Sequence, residues 1–177
     1  MNLKLETKYL GLENSRNRLL DELEGLDDEQ LNTSVEEGKW SIVQHLAHVL
    51  LVDKSAMDYV LYKLEHAHDL PAASLSNAIK SLALKLALRS GKKYAAPPAV
   101  AAIPSHVSLT ALRHEWDDNR FQLEDVLTDF PDELLDRCIF KHPHVGPLTI
   151  SQTLTFLQDH FDHHLRAIRH IQHELLK

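Results

Sequence analysis

Cysteine occurs once in the 177 residues, at Cys138. A lone thiol excludes an intrachain disulfide framework and fits a reducing compartment, so a cytoplasmic protein is expected. Glycine is scarce at five residues, and aromatics make up 6% of the chain. The bulky apolar set is mostly leucine and alanine, with few β-branched runs, a composition that favours helix over sheet. Nowhere do about 18 apolar residues run together, and Met1 to Lys8 alternates polar with apolar, so neither a membrane span nor a signal peptide is expected. The formal charge is −7 and no lysine or arginine run forms a basic patch. Nucleic acid is therefore excluded as the expected partner, since phosphate binding draws its affinity from clustered positive charge. Gly-rich phosphate loops, nucleophile elbows and paired-carboxylate motifs are missing as well.

Enough apolar material is present, at 44% of the chain, to bury one core, and residues 1–177 read as a single domain. The outlier is histidine, with 13 copies. Eight of them stand in close groups: His45 and His48, His142 and His144, then His160, His163, His164 and His170. Grouping of this kind invites a metal reading.

Helical periodicity organises the rest. Residues 3–24 carry Leu5, Leu12, Leu19, Leu20 and Leu23 on one side, with Gly25 placed as a C-terminal cap. Residues 26–31 read as a turn or one extra helical turn, and 32–39 as loop. Ser41 is suited to cap a second helix in which Ile42, Leu46, Val49, Val52, Ala56 and Val60 recur every three or four residues. That pattern lasts to Glu65, roughly 35 Å. A third helical segment spans 74–90, with Gly91 as its cap. Tyr94-Ala95-Ala96-Pro97-Pro98-Ala99, running on to Pro104, predicts an extended crossover. Residues 108–127 form the next long helix, and His142-Pro143-His144-Val145-Gly146-Pro147 forbids helix. Thr149 caps the last one, whose seam is Ile150, Leu154, Leu157, Phe161, His164, Ile168, Ile171 and Leu175. The expected fold is all-α: a four-helix bundle with long crossover connections plus a short extra helix.

His160 and His164, four residues apart, share one face of the last helix. At 100° per residue, His164 lies about 30° and His160 about 70° from the apolar centre, whereas His163, His170 and His173 point toward solvent. Two imidazoles one turn apart can share one transition metal, with a third ligand from a facing helix. They can equally be hydrogen-bonded core residues. The second helix offers His45, nearer its apolar centre, and His48, at its edge; periodicity leaves the choice open. Asp159 and Asp162 read either as partners for imidazole N–H groups or as solvated charges. His142 and His144 read as loop-shaping, exposed residues, with the mouth of the site as the alternative place for them. Glu115, Trp116 and Arg120 read either as residues that reach a substrate or as a core tryptophan beside exposed charges, and Cys138 reads as inert.

Trp40-Ser41-Ile42-Val43-Gln44-His45-Leu46-Ala47-His48 resembles the W-S-x-x-x-x-L-x-H entry of the DinB-like superfamily. His142-Pro143-x-x-Gly146-Pro147-Leu148-Thr149, followed by Phe156-x-x-x-His160-x-x-x-His164-Leu165-x-x-Ile168, resembles its C-terminal signature. Length, helix order and the proline-containing crossover also match. The resemblance implies a four-helix bundle holding a divalent metal, often zinc or nickel, on three histidines. Position by position those ligands fall on His48, His160 and His164. Many relatives place a carboxylate soon after the first histidine, where this chain has Val49-Leu50-Leu51-Val52 before Asp53. Many carry a glutamine where this chain has Ala167.

Three histidines leave an open position, the arrangement of a catalytic site. The expected function is a metal-dependent enzyme acting on a small molecule. Within the resembled superfamily, hydrolases and transferases that use low-molecular-weight thiols both occur. The alternative is a non-catalytic metal-binding or stress-response bundle. Surplus apolar positions in Leu82-Ala83-Leu84-Lys85-Leu86-Ala87-Leu88 point to a homodimer.

Overall fold

Capping chemistry sets most of the helix boundaries. The computed structural model describes residues 1–66, 70–90 and 103–177. Helix α1 spans Leu3–Leu23, and its first turn is capped by the Asn2 side chain. Gly25 does not end it as expected. The helix closes on Glu24 in right-handed geometry, with its N–H donating to the Asp21 carbonyl, so no left-handed residue is needed. The short α2, Asp28–Asn32, begins with a capping box between Asp27 and Gln30. Helix α3, Ile42–Glu65, begins with another between Ser41 and Gln44. Helix α4 is Leu75–Arg89, α5 is Leu109–Thr128 and α6 is Ile150–Leu175. Thr149 and Gln152 form the capping box of α6, which satisfies two of its unpaired backbone donors. The expected Gly91 cap and the Tyr94–Ala99 crossover lie outside the described residues.

α1 packs on α5 and α6, and α3 packs on the same two helices. α1 and α3 therefore stand across the bundle from one another, so the chain crosses it between them. α4 lies outside this ring against α6.

One element departs from the all-helical expectation. The segment before α6 is an antiparallel hairpin, β1 Cys138–His142 and β2 Gly146–Thr149, with a register irregularity between Cys138 and Phe140. Gly146 turns the chain at φ +80°, where a side chain would be strained. Pro143 sits in the loop, and Pro147 lies on an edge where its missing N–H costs little. Ala72 pairs with Arg137, and the Cys138 N–H donates to the Pro71 carbonyl, so the α3–α4 connection lines the hairpin.

The apolar core falls into two groups. One lies beside the hairpin around Leu12, Leu127, Ile139, Leu148 and Leu154. The other gathers around Leu23, Ile42, Val49, Trp116, Phe161 and Ile168. Contrary to expectation, Arg120 is not at the surface: it is 2% exposed. Its Nη2 donates to Asp53 Oδ2 at 2.8 Å, and Trp116 Nε1 donates to the same oxygen at 3.1 Å. Arg120 Nε lies 3.1 Å from Glu13 Oε1. Arg16 pairs with Glu13 and Asp117. This network ties α1, α3 and α5 together. Removing one charge of such a group strands the others away from water. Arg120→Met is expected to cost about 3–5 kcal/mol in urea denaturation, whereas breaking the exposed Lys54–Glu115 pair with Lys54→Met costs under about 1 kcal/mol.

Candidate metal centre

α3 and α6 pack side by side, so the first turns of α3 face the middle of α6. The capping box at Ser41 fixes where α3 starts, and with it the positions of His45 and His48. Trp40, one residue before that cap, folds over them: its ring lies 5.0 Å from His48, 5.3 Å from His45 and 6.2 Å from His164.

His48, His160 and His164 come together. One ring nitrogen of each lies within 4.8 Å of the other two. His160 Nε2 and His164 Nε2 are 3.2 Å apart. A tetrahedral metal with nitrogen bonds of about 2.05 Å separates its ligand atoms by about 3.3 Å, so this spacing suits one ion. All three residues are buried. Burial, then the neighbouring His48 ring, pushes His160 down to about 3. Burial also pushes His164 far below the ordinary range, with His160 and His48 adding to the effect. Both therefore stay neutral at physiological pH, the form that ligates a metal. The cluster is compatible with a metal-binding site.

The remaining candidates divide. His45 is half-buried, and its Nδ1 lies 2.9 Å from Nδ1 of His164. Helical phase placed His45 nearer the apolar centre than His48 and left the choice between them open. His48 is the more deeply buried because Trp40 and the α6 imidazoles cover its flank, which is off the leucine seam. His163 does not point freely to solvent: its Nδ1 bonds the Leu88 carbonyl at the end of α4. His170 and His173 are exposed as expected.

Asp159 is buried and pairs with Arg89 at 3.2 Å rather than with an imidazole. Burial pushes its carboxyl up, and Lys85 and Arg89 pull it back. Asp162 accepts from Gln158. Glu115 is exposed beside Lys54, as expected. Cys138 is buried on β1, and burial raises its thiol, which fits an inert residue.

His142, expected in solvent, is 6% exposed. Its Nδ1 accepts from the N–H groups of His144 and Val145 and so shapes the hairpin turn from within. Its ring stands edge-on to Phe156, which in turn lies against His160. His144 is exposed as expected. Trp40 was legible as the first residue of the W-S signature and as the residue before a helix cap; its position over the site depends on the crossing of α3 and α6.

The family model described as the DinB superfamily matches residues 11–168. The chain belongs to the DinB superfamily. It is similar to the uncharacterized protein YuaE of Bacillus subtilis (strain 168), at 27% identity over 154 residues, covering 87% of this chain and 90% of that one. No solved structure matches the chain significantly. Among the described residues, no helix is long and apolar enough to cross a membrane. Family membership and the three-histidine cluster agree, since residues 11–168 include every member of the cluster.

Burial also sets a pH dependence away from the cluster. His142 is lowered to about 4, chiefly by burial and then by His144. The unfolded chain takes up a proton near pH 6.5 that the native state refuses until about pH 4, so the native state loses stability as pH falls through that window. Metal-free protein is expected to lose up to about 3 kcal/mol from this group between pH 7 and 4. Urea denaturation at several pH values should show a shallower slope in His142→Asn.

Proposed function

We propose that the protein is a metal-dependent enzyme acting on a small molecule, with His48, His160 and His164 holding one divalent ion, zinc or nickel. The observation that carries this reading is the 3.2 Å Nε2–Nε2 spacing of two buried, neutral imidazoles, with His48 closing the third side. Bound there, the ion supplies Lewis acidity, which serves hydrolysis and thiol transfer alike.

The chain's own residues favour an open, electrophilic centre. The three ligands are neutral, so none of them offsets the ion's charge. The nearby buried carboxylates are committed elsewhere, Asp159 to Arg89 and Asp53 to Arg120 and Trp116. Trp40 forms an apolar wall over the imidazoles, which strengthens electrostatic interactions by excluding water. An anionic substrate group such as the thiolate of a low-molecular-weight thiol suits a cationic, otherwise neutral site. A reducing compartment such as the cytoplasm, which keeps such thiols reduced, fits both this substrate class and the single Cys138.

Purified protein is expected to take up one equivalent of zinc or nickel, measured by elemental analysis. His160→Ala is expected to lose it while remaining folded. Full metal content in that variant would sink the assignment. A ligand that binds only the native state raises its stability, by about 2.7 kcal/mol at a free concentration 100 times Kd. Chelator should accordingly lower the melting midpoint of the native protein and leave His160→Ala unmoved.

The reading includes a homodimer. Leu75, Ile79, Leu82 and Leu86 form a stripe along the outer face of α4, each at least 57% exposed. Burying that stripe against a second copy would remove its apolar surface from water. Sedimentation velocity is expected to give a dimer for the native chain and a monomer for Leu82→Glu/Leu86→Glu. A native monomer at micromolar concentration would overturn the dimer.

A further inference from the structure

We propose that His45 is a positioning residue, accepting a hydrogen bond from His164 Nδ1–H and thereby holding His164 in the tautomer whose Nε2 lone pair faces the metal. The proposal rests on the three-histidine reading above and adds a residue to it.

The two Nδ1 atoms are 2.9 Å apart, hydrogen-bond distance. Such a contact needs one nitrogen to carry a proton and the other to offer a lone pair. His164 faces His160 through its Nε2. A neutral ring that ligates through Nε2 carries its proton on Nδ1, so His164 is the donor and His45 the acceptor. Nδ1 and Nε2 lie on different edges of the ring, so His45 reaches His164 from the side away from His160. That position makes it a brace for the ligand rather than a fourth ligand.

Metal-bound imidazoles commonly donate their second N–H to a carboxylate or carbonyl. Here the buried carboxylates are engaged with Arg89 and Arg120, and an imidazole stands where a carboxylate would be usual. Its placement follows from the sequence. The Ser41–Gln44 capping box starts α3, and His45 and His48 follow three residues apart, so one helix carries both a ligand and the acceptor for another ligand. Trp40 packs edge-on against His45 at an interplanar angle of 74°, which restrains the acceptor ring. His160 is treated differently: its buried Nδ1 has no hydrogen-bond partner among the described residues. The brace therefore acts on His164.

The test measures zinc affinity by competition with a chromogenic chelator, alongside the visible spectrum of the cobalt(II)-loaded protein and the melting of the metal-free form. His45→Phe keeps a ring and removes the acceptor; His45→Ala repeats the loss without the bulk. His45→Asn returns an acceptor oxygen near the place of Nδ1. Phe and Ala are expected to weaken zinc binding about 10–100-fold, with metal-free melting little changed. Asn is expected to restore most of the affinity, and the cobalt bands of all three variants should keep the positions and intensity of the native site. Native-like affinity in both Phe and Ala, or no recovery in Asn, would overturn the positioning role while leaving the metal centre intact. Cobalt bands showing the loss of an imidazole ligand would also overturn it, by making His45 a ligand. If the native chain itself takes up neither zinc nor cobalt, the three-histidine reading falls and this assignment falls with it.

Discussion

A guanidinium taken out of water must be met by charge on several sides, and Arg120 meets that requirement from two other helices. It reaches Asp53 of α3 and Glu13 of α1 from its own place on α5. Trp116, one turn earlier on α5, adds a second donor to the same Asp53 oxygen and lies 6.2 Å from Phe161 of α6. Buried pairs add little net stability compared with apolar packing, but they penalise every arrangement that leaves a member unpaired. The geometry between α3 and α5 is therefore held by direction as well as by area. His48 stands five residues before Asp53, so the clamp that fixes Asp53 also fixes how far along the bundle His48 sits. The histidine cluster depends on that register.

Two buried polar groups among the described residues use different electrostatics. Around Arg120, the guanidinium is set against the Asp53 and Glu13 carboxyls, which burial pushes up and the neighbouring arginines pull back. Around His164, charge is avoided, because crowded imidazoles that cannot be solvated give up their protons instead. A site of neutral donors converging on one point is costly to bury unless something repays the lost hydration, and a divalent cation does so more completely than any neutral partner. The same logic explains why the acidic residues near the cluster face away from it. Asp159 precedes a proposed ligand directly, yet it turns to Arg89, which leaves the centre without negative charge.

Much of the fold was legible because helix starts are written locally. Ser41 with Gln44 and Thr149 with Gln152 announce their helices within four residues, and leucine spacing carries each to its end. The hairpin was not legible. Its strands are five and four residues long, prolines interrupt the segment, and its support comes from Pro71 and Ala72, more than sixty positions away. The burial of Arg120 was missed. It stands four residues from Trp116 on the core face, but a sequence cannot show that Asp53 waits opposite. His142 shows the same limit: its burial depends on Phe156, on another element.

The histidines of α6 show where local reading succeeds and where it stops. Successive residues of a helix point about 100° apart, and α6 spends that difference on two neighbours. On one flank Asp159, His163 and Arg166 all reach the end of α4, Asp159 through Arg89 and the other two through the Leu88 carbonyl. On the adjacent flank His160 and His164 face α3. Phase alone separates His163, which reaches α4, from His164, which reaches α3. On α3 the same rule places His45 nearer the apolar centre and leaves the choice with His48 open, because phase measures distance from the leucine seam. On α3 the cluster lies off that seam. It is walled by Trp40 and by its own imidazoles, so burial there is produced by the site's own side chains, and a helix read by itself cannot report it.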